Sequence, residues 1–362
     1  MRIAQVATLY ETVPPQAYGG IERVVSYLTE ELVQQGHDVT LFACGGSRTQ
    51  ARLIESCPCA VRLVEDTADP QAFHFAMLEE VVRQSGNFDL AHFHVDYQHF
   101  PFSRRLACPH LTTLHWRLDI PGLPLLYRAF ADVPVVSISD AQRTPLPWLN
   151  WQGTVHHGLP DDLLTQGDGG GGYLAFLGRI APAKRPDLAI EIARRAHVPL
   201  HIGAKIDNGD LHYFERDIRH LFDDPIVNYR GELDDRQKNA FLGGARALVF
   251  PIDWPEPFGL VMAEALACGT PVIAFRRGSV PEVIEHGVTG FIVDTVDEAV
   301  EAVHRLPEID RRACRAAFKT RFTASRMVAD YLPIYEGLCR ASVGAAPGEV
   351  PAPRPACADL IL

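Results

Sequence analysis

The chain has 362 residues, 47% of them hydrophobic and 22% charged, the balance of a soluble globular protein with enough core for two domains. A formal charge of −11, with lysines and arginines scattered along the chain, excludes the concentrated positive surface that nucleic acid binding requires. Eight cysteines without a C-x-x-C pair read as reduced thiols, and no apolar run approaches the roughly 20 residues needed to cross a bilayer.

Met1 leads directly into Arg2 to Leu9, which reads as a first buried strand and not as a secretory leader, so a cytoplasmic chain is expected. Strand-like runs at 2–9, 38–43, 88–93, 110–114 and 133–138 alternate with helix-like stretches near 20–35, 71–85, 122–131 and 139–148. This alternation predicts a parallel, doubly wound domain over 1–157, in which His156-His157 is structural. The run Gly167-Asp168-Gly169-Gly170-Gly171-Gly172 predicts a flexible interdomain linker over 158–172. A second series spans 173–321. Its strands are expected at 173–177, 198–202, 226–229, 247–250, 271–275 and 290–293, and its helices at 186–196, 210–222, 234–243 and from Gly259. The fold class is therefore α/β, two Rossmann-like doubly wound domains facing a cleft, with ligands at the carboxyl ends of the strands. A helix over 322–340, with Met327, Val328, Tyr331, Leu332, Ile334, Tyr335 and Leu338 near helical spacing, is expected to pack across both domains. The proline-rich stretch 341–362 is expected to be a disordered tail.

The strongest constellation is Asp253-Trp254-Pro255-Glu256-Pro257-Phe258-Gly259-Leu260-Val261-Met262-Ala263-Glu264, a stiff turn feeding a helix. Prolines flank Glu256, and Glu264 lies between one and two turns into the helix, so both carboxylates can approach one ligand from different heights. The free N–H groups of Phe258, Gly259 and Leu260 at the helix start attract an anion such as a diphosphate. Either glutamate alone would read as an ordinary helix charge. Glu264, however, sits in the apolar run Val261 to Cys268, where a carboxylate without a partner is costly.

The segment Glu256 to Val272 resembles the Glu-x7-Glu signature of the family-four retaining glycosyltransferases, which have the GT-B fold. The likeness extends to Gly178-Arg179-Ile180-Ala181-Pro182-Ala183-Lys184-Arg185, to Gly278-Ser279-Val280-Pro281-Glu282, to Thr289-Gly290-Phe291 and to Ala17-Tyr18-Gly19-Gly20-Ile21-Glu22-Arg23. It is weaker between 45 and 110. The resemblance implies that Glu264 holds ribose hydroxyls, while Glu256 and the amides of Phe258, Gly259 and Leu260 hold the donor sugar and its phosphate. It also implies that Arg179 and Lys184 clamp the diphosphate, where fixed cations stabilise the charge left on the departing group. Leu233 matches the position whose backbone touches the base, Gly19 and Gly20 allow close approach to the donor, and His115 matches the histidine beside the reacting carbon. His94, Asp96 and Tyr97, at the end of a strand, are candidates for acceptor selection. His92 and His94 share a strand face, and a metal site there is the less favoured reading.

The resemblance implies front-face transfer of a hexosyl unit from a nucleotide-diphosphate sugar, a UDP- or GDP-sugar, with retention of configuration and without a metal or other cofactor. The acceptor would be a small molecule, a glycan or a lipid-linked hydroxyl. Peripheral membrane contact stays open, although the first domain offers only the short basic pair Arg104-Arg105. The alternative is a sugar-nucleotide epimerase or hydrolase of the same shape.

Overall fold

The computed structural model describes residues 1–16, 19–64 and 69–344. Ala17 and Tyr18 of the glycine motif and residues 345–362 of the expected tail lie outside the described residues, whereas 341–344, also expected in the tail, continue the last helix. The amino-terminal sheet has seven parallel strands: β1 (Arg2–Val6), β2 (Asp38–Ala43), β3 (Arg52–Glu55), β4 (Leu90–Phe93), β5 (His110–Thr113), β6 (Val135–Ser137) and β7 (Trp151–Thr154). Their order is β3-β2-β1-β4-β5-β6-β7. The second sheet has six: β8 (Leu174–Arg179), β9 (Leu200–Lys205), β10 (Val227–Gly231), β11 (Ala247–Phe250), β12 (Val272–Phe275) and β13 (Gly290–Val293), in the order β10-β9-β8-β11-β12-β13. Strands β4, β11, β12 and β13 are buried along their whole length, as parallel strands covered on both faces must be. Strand order reverses between β1 and β4 and again between β8 and β11, and such switch points open crevices at the carboxyl ends of the strands.

Several elements differ from expectation. Strands β3 and β7 form the two edges of the first sheet, where short and partly charged or glycine-bearing segments carry little pattern. The helix expected over 139–148 stops at Arg143, because Pro145 and Pro147 cannot continue it. The helix expected over 210–222 is a succession of short turns, Leu211–Tyr213, Phe214–Ile218 and Arg219–Asp223. Helices Val296–Arg305 and Arg311–Arg321 stand beyond β13.

The glycine run is not a free tether. Gly169 N–H donates to the Gly243 carbonyl and Gly171 N–H to the Gly244 carbonyl, each at 2.9 Å. A Cβ on Gly167 would lie 2.3 Å from the Gly243 oxygen, so glycine is needed for close backbone approach and not for looseness. Arg311 locks the same seam, donating to the carbonyls of Gly167, Gly243 and Ala245 at 2.9–3.1 Å and to Thr270 Oγ1 at 2.8 Å.

The last helix, Ala324–Gly344, starts beside Gly158, whose N–H donates to Met327 Sδ at 3.3 Å. It then returns to the amino-terminal sheet, where the Tyr331 hydroxyl meets Thr113 Oγ1 and the Tyr335 hydroxyl meets His92 Nδ1, each at 2.7 Å. Among the described residues no helix is long and apolar enough to cross a membrane.

Candidate functional site

The residues singled out in the sequence gather at the carboxyl ends of the central strands of both sheets. In the second domain the loop after β11 carries Glu256 into the buried helix Leu260–Ala267. Gly259 caps that helix at φ 75°, a left-handed conformation that favours glycine. The loop is braced from behind by Gly278, where a Cβ would fall 2.2 Å from the Glu256 carbonyl oxygen. Ser279 completes the brace: its N–H donates to the Glu256 carbonyl at 2.9 Å and its hydroxyl to the Phe258 carbonyl at 2.8 Å. The N–H groups of Phe258, Gly259 and Leu260 have no acceptor among the described residues, so the helix start keeps its anion-binding capacity.

Glu256, 7% exposed, accepts from the Lys184 ammonium and from the Trp254 indole N–H, the latter at 2.7 Å. The ammonium also lies 4.8 Å from the Trp254 ring centre and 5.4 Å from that of Phe250, contacts that favour a cation. Arg179, the last residue of β8, faces Asp210 at 3.2 Å and Asp207 at 3.8 Å. Both basic residues therefore have carboxylate partners, and Lys184 is tied to the glutamate expected to meet the sugar.

Glu264, 4% exposed, is held by Lys238, whose Nζ lies 2.9 Å from Oε1. Lys238 stands 3.7 Å from Asp235, which binds Arg23 of the first domain at 2.7 Å. An ionic chain thus runs across the cleft to the helix Gly20–Gln34. Sequence reasoning missed Lys238; the only signal was a basic residue three positions after Asp235, on the helix Asp235–Gly244. Leu233, 9% exposed, packs over Gly203 of β9 just ahead of that helix.

In the first domain a Cβ on Gly19 would collide with the Pro15 side chain at 2.7 Å, whereas Gly20 faces open space. Glu22 accepts from the Thr8 hydroxyl, and burial raises its pKa. His115 stands two residues beyond β5. Its backbone N–H donates to Asp96 Oδ1 at 3.0 Å, and Gln142 Nε2 donates to the flanking carbonyls of Leu114 and Trp116 at 2.8 Å. Burial pushes the His115 imidazole down to about 3 and the Asp96 carboxyl up to about 6. His94 is fully buried, with Nδ1 2.9 Å from His115 Nε2 and Nε2 2.8 Å from Gln5 Oε1, so it faces His115 and not the open cleft. His92 is likewise occupied at both nitrogens, by Tyr335 and Thr113. Tyr97 is exposed at the rim.

The domains meet around these groups. The His115 ring stacks on that of His157 at 5.2 Å, and His157 lies edge-on to Phe258 at 5.0 Å. Trp116 meets Trp254 across the cleft, with ring centres 5.9 Å apart. Glu282 accepts from the amides of Asp140 and Ala141 at 2.7 and 2.8 Å and from His156 Nε2 at 3.2 Å. Burial alone would raise the Glu282 pKa, but these hydrogen bonds outweigh it and hold the carboxyl below its ordinary value.

Residues 18–149 match the model of glycosyltransferase family 4, and residues 166–320 that of glycosyl transferases group 1. An uncharacterized 41.2 kDa protein in the cps region of Klebsiella pneumoniae is 32% identical over 170 residues, covering 45% of this chain and 46% of the relative. The D-inositol 3-phosphate glycosyltransferase of Mycobacterium sp. (strain KMS) is 31% identical over 157 residues, 40% of this chain and 36% of the relative. The chain thus matches less than half the length of these curated relatives. The crystal structure of Anabaena HepE in complex with UDP and glucose superposes with a TM-score of 0.72 at 18% identity, covering 93% of this chain and all of that one, and shows the shared GT-B fold.

Proposed function

The chain belongs to the group 1 glycosyltransferases with a family 4 amino-terminal half, and from that premise we propose that it moves a hexosyl unit from a nucleotide-diphosphate sugar to a hydroxyl acceptor, with retention and without a metal. The observation that carries the reading is that Lys184, from the turn after β8, meets Glu256 on the braced loop whose amides from Phe258 to Leu260 have no acceptor among the described residues. Breaking the glycosidic bond leaves negative charge on the diphosphate. A cation and a row of fixed N–H dipoles, set in place before the reaction, stabilise that charge most as it develops. Lys184 shares itself between Glu256, which grips the sugar, and the leaving phosphate, with Arg179 at the outer end. Glu264 offers the ribose its second oxygen, the first being held by Lys238.

The departing phosphate helps deprotonate the incoming hydroxyl on the same face of the sugar, so no second carboxylate is required at the reacting carbon. The acceptor enters past Asp96, Tyr97 and Trp116, and closure of the two domains excludes water that would otherwise hydrolyse the donor. A UDP-sugar is the favoured donor, in keeping with the neighbouring fold that holds UDP and glucose. The acceptor is a small molecule, glycan or lipid-linked hydroxyl, and the setting is the cytoplasm.

The test is a thermal-shift panel of UDP, GDP, ADP and their sugars, followed by transfer assays with the donor that stabilises the fold most. NMR of the product must show the donor's anomeric configuration. An inverted product, or epimerised donor without transfer, rejects the proposal.

A further inference from the structure

His115 is joined to two buried groups that no part of the reaction described above uses. Gln5, on β1, is fully buried, and its Oε1 lies 2.8 Å from His94 Nε2, while its Nε2 faces the Tyr335 hydroxyl at 3.5 Å. An amide oxygen has no proton to give, so His94 Nε2 must be the donor. Burial holds both His94 and His115 neutral, and a neutral imidazole carries one proton only. His94 Nδ1 is then bare and accepts across the 2.9 Å contact from His115 Nε2. It follows that the single proton of His115 is on Nε2 and that Nδ1 is bare as well. That nitrogen is buried and has no hydrogen-bond partner among the described residues. Its ring sits at the seam of the domains, stacked on His157 and followed by Trp116, which meets Trp254 of the second domain.

We infer that Gln5 and His94 are positioning residues that fix His115 as the Nε2–H tautomer, so that its bare Nδ1 accepts a hydrogen bond from a hydroxyl of the transferred sugar. The inference rests on the glycosyltransferase reading for the sugar contact, but the tautomer relay can be read in the donor-free protein. A histidine of the opposite tautomer would present an N–H at the same place and would lose its preference for a hydroxyl as donor. The relay therefore selects the hydrogen-bonding sense of the substrate and not merely the shape of the pocket.

The test has two arms on the full chain. Long-range ¹H–¹⁵N spectra of histidine-labelled protein, assigned with a His115→Phe variant, show which ring nitrogens carry protons. Protonated Nε2 and bare Nδ1 are expected at both His94 and His115. Gln5→Leu, which removes the acceptor, should populate the reverse tautomer at both rings. A proton on His115 Nδ1 in the wild type overturns the relay even if the variant fails to fold, and unchanged tautomers in a folded variant overturn it too. In the second arm, each sugar hydroxyl of the nucleotide sugar turned over in the transfer assay is replaced by fluorine, which accepts but cannot donate. At one position the wild type should lose about tenfold in kcat/KM more than Gln5→Leu does. The inductive slowing by fluorine is common to both enzymes and cancels in that ratio. Equal losses at every position refute the sugar contact. Absence of any turned-over donor would count against the glycosyltransferase reading, and the spectra would still decide the tautomer.

Discussion

Lys238 Nζ lies 2.9 Å from Glu264 Oε1, supplying the cation that makes a carboxylate tolerable in an otherwise apolar helix. The second Glu264 oxygen accepts no bond among the described residues, and on the proposed reading it is the one that meets the ribose. Glu264→Gln keeps the volume but loses the charge, and is expected to weaken nucleotide-sugar binding by about tenfold, or about 1.4 kcal/mol. Calorimetric titration measures this directly; unchanged affinity would remove Glu264 from the site. Lys238→Met should behave differently, lowering stability by about 3 kcal/mol because the buried carboxylate is left without its partner.

Lys184 meets Glu256 beside the amides of Phe258 to Leu260, and on the proposed reading it also receives the leaving group, so its loss should be felt in the chemical step. Lys184→Ala is expected to lower kcat by about 100-fold or more, the scale on which removal of a fixed charge-stabilising donor acts. The donor KM should move much less. A raised KM with unchanged kcat would assign Lys184 to ground-state binding alone.

Asp96 gives the fold a definite pH dependence. Its folded value of about 6 lies above the ordinary value of about 3.9. Between the two, the folded chain keeps a proton that the unfolded chain has released. Stability from this group is therefore fully present below about pH 4 and falls as pH rises to about 6. Across that range the buried neutral histidines, His94 and His115 among them, contribute stability that rises with pH, and Asp96 offsets part of that rise, so denaturant titrations should show a steeper increase in Asp96→Asn than in the wild type. An equal slope in both places the titrating group elsewhere.

Glu282 ties the second domain to the first through the amides of Asp140 and Ala141. Glu282→Ala removes this cap and should cost about 1–2 kcal/mol in chemical unfolding. Arg311→Met, which strips five hydrogen-bond acceptors of their shared donor, should cost about 3 kcal/mol. A loss of only a few tenths at Arg311 would mean that the glycine run is held by its own backbone bonds.

The candidate site was legible in the sequence where its residues lie close along the chain. Glu256, Phe258, Gly259 and Glu264 occupy one loop and the helix after it, so spacing alone assembles them, and Arg179 and His115 follow directly from strand ends. Lys238 and Gln5 carry no signal in the sequence, and Glu282 stands in a motif without a visible role, because each meets its partner only after the two sheets have folded. The buried strands were legible from their apolar runs, whereas β3 and β7 at the sheet edges were not. The glycine run was misjudged for a physical reason: a missing Cβ permits both loose chain and the closest backbone packing, and only the neighbouring Gly243 and Arg311 decide between them.

On the proposed reading, Lys184 and the amides of Phe258 to Leu260 receive the departing diphosphate in the role a divalent ion would otherwise fill. Transfer rates of chelator-treated enzyme, measured before and after adding back magnesium or manganese, test it most directly. The same rate is expected throughout; loss of turnover on chelation and its recovery with the ion would assign the diphosphate to a metal instead.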